Sequence, residues 1–268
     1  MVREGAWSVV PFGRRTAAEN LAETERLVEA VAAGTAGPTL RWYGYTGRAA
    51  ITGVGQAPGT VATDLEARGI DVVRRLSGGA TVLADAEMLA LDACLPAASP
   101  LAGTDVVEAY RWFGEAWRTA IVAVTGEVAR TAIRLVPVEE ARRDRSLARE
   151  APNDPVPLAR EATCFGFLSP YEVAWQAADG TARKLVGFSQ VRRRGVVLFQ
   201  AGVHWRFDAE VMTSLLAIDG SDRAAVVADL KGRIADLAEA GLDMAAQDDL
   251  ITAFVTAATR ALGEARGA

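Results

Sequence analysis

The sequence predicts an α+β protein, with strands and helices intermixed over residues 1–220 and a mostly helical segment over 221–268. Three observations predict it. Short apolar runs bounded by Gly, Pro or Asp-Gly recur through the first part of the chain, as strands and their turns do. Val106, Val107, Tyr110, Phe113, Trp117 and Ile121 recur at helical spacing and mark an amphipathic helix. The C-terminal stretch is rich in alanine and helical in its spacing at 224–238 and 247–262.

In chain order, Trp7 to Phe12 reads as a short strand. Thr16 to Ala33 reads as a helix, with Leu21, Leu27, Val28 and Val31 near one face and Gly34 as its stop. Pro38 opens a strand through Leu40, Trp42 and Tyr43, and Ala49 to Thr52 forms another. Gly53, Gly55 and Pro58 punctuate a loop, and a short helix is expected over Thr60 to Arg68. Next, Ile70, Val72 and Val73 precede Arg74-Arg75-Leu76-Ser77-Gly78-Gly79-Ala80-Thr81, and Val82 and Leu83 follow it. Two apolar runs joined by Ser-Gly-Gly predict a hairpin with a tight glycine turn. Met88 to Leu95 is expected as a strand of the same sheet, and Thr104 to Gly126 as the amphipathic helix. Residues 140–161 hold Arg, Asp and Glu with three prolines, and read as an exposed, mobile loop. A three-strand meander follows over Tyr171–Trp175, Lys184–Val191 and Val196–Trp205, its first turn marked by Asp179-Gly180. The expected boundaries are a first domain over 1–220 and a helical extension packed on it over 221–268.

Composition narrows the function. Half of the 268 residues are hydrophobic, enough for a sizeable core, and the net charge of -5 argues against a general nucleic-acid binder. Two distant cysteines, Cys94 and Cys164, and one histidine, His204, fit no zinc pattern and no disulfide framework. One histidine far from any serine motif also argues against a Ser-His-Asp hydrolase. The N-terminus lacks a signal-peptide core and no run approaches a membrane span, so a cytoplasmic protein without membrane contact is expected.

Chemistry concentrates in two places. Around Ser77-Gly78-Gly79 the backbone can approach a bound group closely, and Arg74 and Arg75 add forked donors suited to carboxylate or phosphate. An ordinary hairpin with solvated arginines is the alternative. Cys164, in Ala162-Thr163-Cys164-Phe165-Gly166, is either a small core residue or a nucleophile. Lys184 is either an exposed hairpin lysine or a cation that favours the thiolate and bonds an acyl oxygen. Cys94 reads as core, and His204 is assigned no role.

These stretches resemble a known family. Arg74-Arg75-Leu76-Ser77-Gly78-Gly79 with Val82 and Asp85 resembles the RRxSGGG-x-V-x-x-D signature of the lipoate–protein ligase and octanoyltransferase family. Arg183-Lys184-Leu185-Val186-Gly187-Phe188-Ser189-Gln190 resembles its second signature, G-[RK]-K-[IL]-x-G-x-[AS]-Q, which carries the family lysine. Asn20-Leu21-Ala22, and Gly53 with Gln56, resemble minor landmarks. The resemblance covers roughly residues 7–260. It implies a biotin/lipoate ligase-like domain of mixed, mostly antiparallel sheets flanked by helices, with an acyl chain held beside the Ser-Gly-Gly loop. It further implies Cys164 and Lys184 as catalytic residues, and Arg74, Arg75, Ser77, Gly78, Gly79, Gly187, Ser189 and Gln190 as substrate-binding.

Members divide by mechanism. Cys164-Phe165, then Ser169-Pro170-Tyr171-Glu172, resembles the A-C-F-x-x-P-S-x-Y-E segment of the cysteine-dependent octanoyltransferase branch. That branch needs no cofactor and moves an acyl group through a cysteine thioester. Its donor is acyl carrier protein or a lipoyl-bearing protein, and its acceptor a lysine of a lipoyl domain or of the glycine-cleavage H protein. The alternatives are a ligase that forms a lipoyl adenylate with ATP and magnesium, and a non-catalytic homologue that binds an acyl carrier or lipoyl domain. The departures are Ala80 at the third signature glycine, Ala84 at the usual histidine, and Gln200-Ala201-Gly202 where the family tends to His-Gly-Ser.

Overall fold

The computed structural model describes residues 7–57, 59–148 and 154–267. Its centre is a seven-stranded sheet in the order β1-β2-β6-β10-β9-β8-β7. These strands are β1 (Ser8–Arg15), β2 (Thr39–Tyr45), β6 (Met88–Pro96), β7 (Ile133–Leu135), β8 (Val173–Gln176), β9 (Ala182–Arg193) and β10 (Val196–His204). Only β1 and β2 run parallel; every other neighbouring pair is antiparallel. A second sheet holds β3 (Ala49–Thr52), β4 (Asp71–Arg74) and β5 (Val82–Ala84) in the order β4-β3-β5. Mixed, mostly antiparallel sheets are therefore present as expected.

Strand periodicity sorts the residues onto layers. Leu40 and Trp42 of β2, with Leu89 and Leu91 of β6, face one large core. Helices α2 (Tyr110–Val124) and α8 (Gln247–Gly267) cover that face, with Phe113, Trp117 and Phe254 buried. Trp42 stands edge-on to Trp117 and to Phe254, at 5.2 Å in each case. The alternate residues Tyr43, Tyr45, Met88 and Ala90 face the other way, against Ile51, Val82 and Ala84 of the small sheet. Helix α1 (Ala17–Ala32) lies on the same side of the large sheet and buries Val28 and Val31 against Cys94 and Leu198. Thr16 and Glu19 form a reciprocal capping box at its start. The outer face of the small sheet packs on α5 (Pro155–Ala162), α6 (Ala209–Leu215) and α7 (Arg223–Arg233) through Leu83, Ala159, Met212 and Leu230. Short helices α3 (Glu127–Ala132) and α4 (Val138–Ala148) complete the set. Among the described residues no helix is long and apolar enough to cross a membrane.

Five local expectations are corrected. The predicted hairpin is absent: β4 and β5 flank β3 on opposite sides, β4 parallel and β5 antiparallel to it. Residues 75–81 therefore cross the end of β3 and span two interstrand spacings, about 9–10 Å. Strand β6 belongs to the large sheet, not to the sheet of β4 and β5. Between 60 and 68 only Glu66–Arg68 is helical, as a 3-10 turn, because Ala62 N–H donates to Leu215 and Ala217 N–H to the Thr60 carbonyl. The expected loop over 140–161 contains the end of α4 and all of α5, while 149–153 lie outside the described residues. Pro155 sits at the first helical position behind the Asp154 cap, where a missing N–H costs nothing. The helix expected over 224–238 also ends early. After Arg233 the chain turns to bond the ends of β9 and β10, through Ala235 N–H to Lys184 and Leu237 N–H to His204.

Candidate active site

The Ser-Gly-Gly segment and the Cys164 segment meet by backbone pairing. Thr81 N–H donates to the Ala162 carbonyl and Cys164 N–H to the Thr81 carbonyl, both at 2.9 Å. Cys164, at the exit of α5, is thereby fixed beside the glycine loop. Two glycines make the approach possible. Gly79 adopts φ +94, and a Cβ there would lie 2.7 Å from Arg75 Nη2. A Cβ on Gly53 would lie 1.8 Å from the Gly79 carbonyl oxygen, so the chain leaving β3 can touch the loop only as glycine. Gln56 ties the two further, donating to Thr81 Oγ1 at 2.6 Å.

The two arginines diverge. Arg74 is exposed and donates to the Val54 carbonyl. Arg75 is 7% exposed and turns inward. Its guanidinium donates to the carbonyls of Gly78 (2.8 Å), Ala80 (3.0 Å) and Ile51 (3.3 Å), and Nη2 lies 3.8 Å from Cys164 Sγ.

Lys184 reaches the same place through a β-bulge. The β8–β9 register shifts between Val173, opposite Val186, and Ala174, opposite Lys184. The extra residue puts Lys184 on the side of the sheet where Gly187 and Ser189 lie. Phe165 packs within that group; a Cβ on Gly187 would be 3.1 Å from its ring. Lys184 is 1% exposed, and its Nζ donates to Glu172 Oε2 at 2.7 Å and to the Cys164 carbonyl at 3.0 Å. Glu172 also accepts the N–H groups of Ser169 (2.7 Å) and Phe188 (2.9 Å). Burial holds the Glu172 carboxyl above the ordinary carboxylate range, against the opposing pull of Lys184 and the two amides.

Beneath the loop runs a chain of side-chain bonds. Ser189 donates to Ser77 Oγ at 3.0 Å, Ser77 to Gln200 Oε1 at 2.8 Å, and Gln200 Nε2 to Asp92 Oδ1 at 2.8 Å. Asp92, fully buried, also accepts from Arg41, Thr24 and Tyr43, and Arg41 reaches Asn20 Oδ1. The glycine loop is thus tied to the middle of the large sheet and to α1.

A cavity of about 940 Å³ opens over this assembly, lined by Gly79, Ala80, Cys164, Glu172, Lys184 and Phe188 among others. The structure therefore brings together Cys164, Lys184, Gly79 and Arg75, with Ser77, Ser189 and Gly187 behind them and Gly78 lending its carbonyl to Arg75. Arg74 and Gln190 do not join the group: Gln190 accepts from Arg192, and its Nε2 has no partner among the described residues. Glu172, Asp92 and Gln200 were not singled out for roles in the sequence. Glu172 stood inside the Tyr171-Glu172 motif and Gln200 was marked only as a departure from the family pattern, while Asp92 carried no local signal.

The remaining candidates are core. Burial pushes the Cys94 thiol up to about 12. His204 is buried, with Nε2 3.1 Å from the Leu83 carbonyl, and burial holds the ring below the usual histidine range. A depressed histidine binds its proton in the unfolded chain first, so stability is lost as pH falls through the unfolded value, near 6.5. We expect the melting temperature of the protein to drop between about pH 7 and 5, and the drop to shrink in His204→Gln. Equal slopes in the two proteins would remove His204 from that account.

Comparison with known proteins places the chain in a family. Residues 16–259 match the family model described as lipoyl protein ligase A/B catalytic domain. The octanoyltransferase LipM of Exiguobacterium sp. (strain AT1b) is 34% identical over 221 residues, 81% of this chain and 72% of that one. That of Exiguobacterium sibiricum is 30% identical over 259 residues, 95% and 86% of the two chains. Among solved structures, a chain from the archaeal lipoylation system of Thermoplasma acidophilum, a bi-partite lipoate protein ligase and its E2 lipoyl domain, superposes with a TM-score of 0.69. It covers 97% of this chain and 84% of its own, at 18% identity, a likeness of fold. A lipoate-protein ligase A bound with ATP gives 0.59 at 18% identity, over 97% and 86%. With both signatures folded onto one cavity and a family match over most of its length, the chain belongs to the lipoyl protein ligase A/B catalytic domain family.

Proposed function

We propose that this protein is an octanoyltransferase, moving an octanoyl group from acyl carrier protein to a lysine of a lipoyl domain or H protein through a thioester on Cys164. The observation that carries the reading is the half-buried Cys164 thiol opening on a cavity that it shares with Lys184. The names of the relatives point to the same reaction. In the first half-reaction the Cys164 sulfur attacks the donor thioester carbon, and the donor thiolate leaves and takes a proton from water. In the second, the neutral amine of the acceptor lysine attacks the acyl carbon; the amide forms, the Cys164 sulfur leaves, and the amine proton passes to solvent. Both steps exchange one acyl bond for another of equal or lower energy, so no nucleotide is required. Lys184 spends two of its three N–H donors on Glu172 and the Cys164 carbonyl, which leaves the third for the oxygen of the bound acyl group. Transfer between protein carriers of this kind fits a cytoplasmic enzyme.

The cavity wall disfavours the ATP-dependent alternative. Among the described residues it carries two cations, Arg145 and Lys184, against four carboxylates, Glu161, Glu172, Asp219 and Asp222. Lys184 is already neutralised by Glu172. A triphosphate placed there without a metal ion meets a wall of net negative charge, which counts against that route. Mixed with octanoyl-acyl carrier protein and no ATP, the purified protein should gain one octanoyl mass that hydroxylamine removes. Cys164→Ser should gain none. An adduct that survives in Cys164→Ser, or that forms only with octanoate and ATP, would overturn the reading.

A further inference from the structure

We propose that Arg75 is a catalytic residue, the fixed counter-ion of the Cys164 thiolate in both half-reactions. The inference rests on the transferase reading, and it moves to Arg75 a task that sequence alone gave to Lys184.

The argument starts from an uncancelled charge. The Arg75 guanidinium is buried, and an arginine does not give up its proton in a protein. Among the described residues it forms no ion pair: its partners are the carbonyls of Ile51, Gly78 and Ala80. Neutral carbonyls orient a guanidinium without cancelling its charge, and a buried charge left unmatched is costly. Among the described residues, the sulfur of Cys164, 3.8 Å from Nη2, is the titratable atom within hydrogen-bonding reach of it.

The other charged groups near the sulfur do not compete. Lys184 is bonded to the Cys164 carbonyl rather than to the sulfur, and Glu172 at 2.7 Å cancels its charge. The remaining cavity-wall charges are Arg145, Glu161, Asp219 and Asp222, mostly carboxylates, which oppose a thiolate. The other side of Cys164 packs on apolar clusters that include Ile51, Val82 and Leu215. Arg75 is therefore the cation available to the sulfur.

The loop is shaped to keep it there. The Gly78 and Ala80 carbonyls grip the guanidinium from the segment that also hydrogen-bonds Cys164, and Gly79 leaves the gap through which Nη2 passes. Thioester exchange develops negative charge on this sulfur twice, as nucleophile and then as leaving group. A permanent cation serves both moments. The proton lost when the thiolate forms goes to water, and Arg75 stays protonated throughout.

The test reads the thiol without any acyl donor. Iodoacetamide is added near neutral pH and alkylation of Cys164 is followed by intact mass in the wild type, Arg75→Gln and Arg75→Lys, with Cys164→Ser as the blank. The neutral variant should react about tenfold more slowly or worse, the loss expected on removing an opposite charge within about 4–6 Å. The gap should close in alkali, where thiols ionise unaided, and Arg75→Lys should recover part of the rate. Alkylation of a folded Arg75→Gln at the wild-type rate would overturn the proposal. Should Arg75→Gln fail to fold, the ultraviolet difference between wild type and Cys164→Ser decides: thiolate absorbance at neutral pH supports the assignment, and its absence overturns it. A fast-alkylating thiol that depends on Arg75 yet takes up no octanoyl sinks the transferase reading alone. Octanoyl uptake with unchanged alkylation in Arg75→Gln sinks the Arg75 assignment alone.

Discussion

Lys184→Met should lower stability by about 3–5 kcal/mol, because it strands a Glu172 carboxylate that is almost fully buried. Both partners are almost fully buried, and among the described residues neither has another ion-pair partner. Methionine fills the volume of the stem but offers no proton. Two amides still donate to Glu172, yet they supply partial charges against a full one. Urea unfolding followed by circular dichroism measures the loss, and Glu172→Gln combined with Lys184→Met should recover much of it. The pH sign is fixed as well. With Lys184 gone the Glu172 carboxyl, already raised by burial, rises further, so the folded variant takes up a proton that the unfolded chain does not. The deficit should be greatest near neutrality and shrink on acidification. A deficit that grows in acid would mean that something other than the stranded carboxylate is being measured.

Asp92→Asn should be comparably damaging, by about 3–5 kcal/mol, or roughly a 10 °C fall in melting temperature. Both carboxylate oxygens accept: Oδ2 from Arg41 and Thr24, Oδ1 from Tyr43 and Gln200. An amide turned either way presents N–H groups to donors and leaves the Arg41 cation unmatched. This substitution also reaches the site at a distance. Gln200 loses its anchor, and Ser77 and Ser189 lose the bond chain that fixes the glycine loop, so octanoyl transfer by the surviving folded protein should fall more than the folded fraction does. Thermal melting and transfer rate measured on the same sample separate the two effects. An unchanged rate per folded molecule would make Asp92 a core residue and nothing more.

What the sequence disclosed follows how local its signals were. The helix opening at Thr16, the Asp179-Gly180 turn and the β9–β10 pairing depend on neighbours in the chain, and all are present. The hairpin expected around Ser77 failed because a strand from elsewhere in the chain, β3, lies between β4 and β5. No periodicity reports such an insertion. The prolines near 155 were misread because proline is tolerated in a helix's first turn as well as in loops. Within the site, motif spacing located Cys164, Lys184 and the glycine loop. It did not show which arginine turns inward, since Arg74 and Arg75 are chemically alike and only the path of the loop distinguishes them. Glu172 and Asp92 were hidden for a related reason: a carboxylate looks solvated in sequence until the fold buries it beside a cation.

The bulge in β9 carries a consequence for how such a gene can change. Lys184 shares a side of the sheet with Gly187 and Ser189 because one extra residue sits opposite β8. Point mutations at Leu185 that keep an apolar side chain leave that parity untouched, so the codon can drift among hydrophobic residues. Loss of the codon removes the [IL] position of the second signature but keeps its lysine, its glycine and most of the hydrophobic pattern, yet turns the lysine to the opposite side of the sheet. A gene for this protein is therefore free to vary in spelling between Lys184 and Gly187 but not in length.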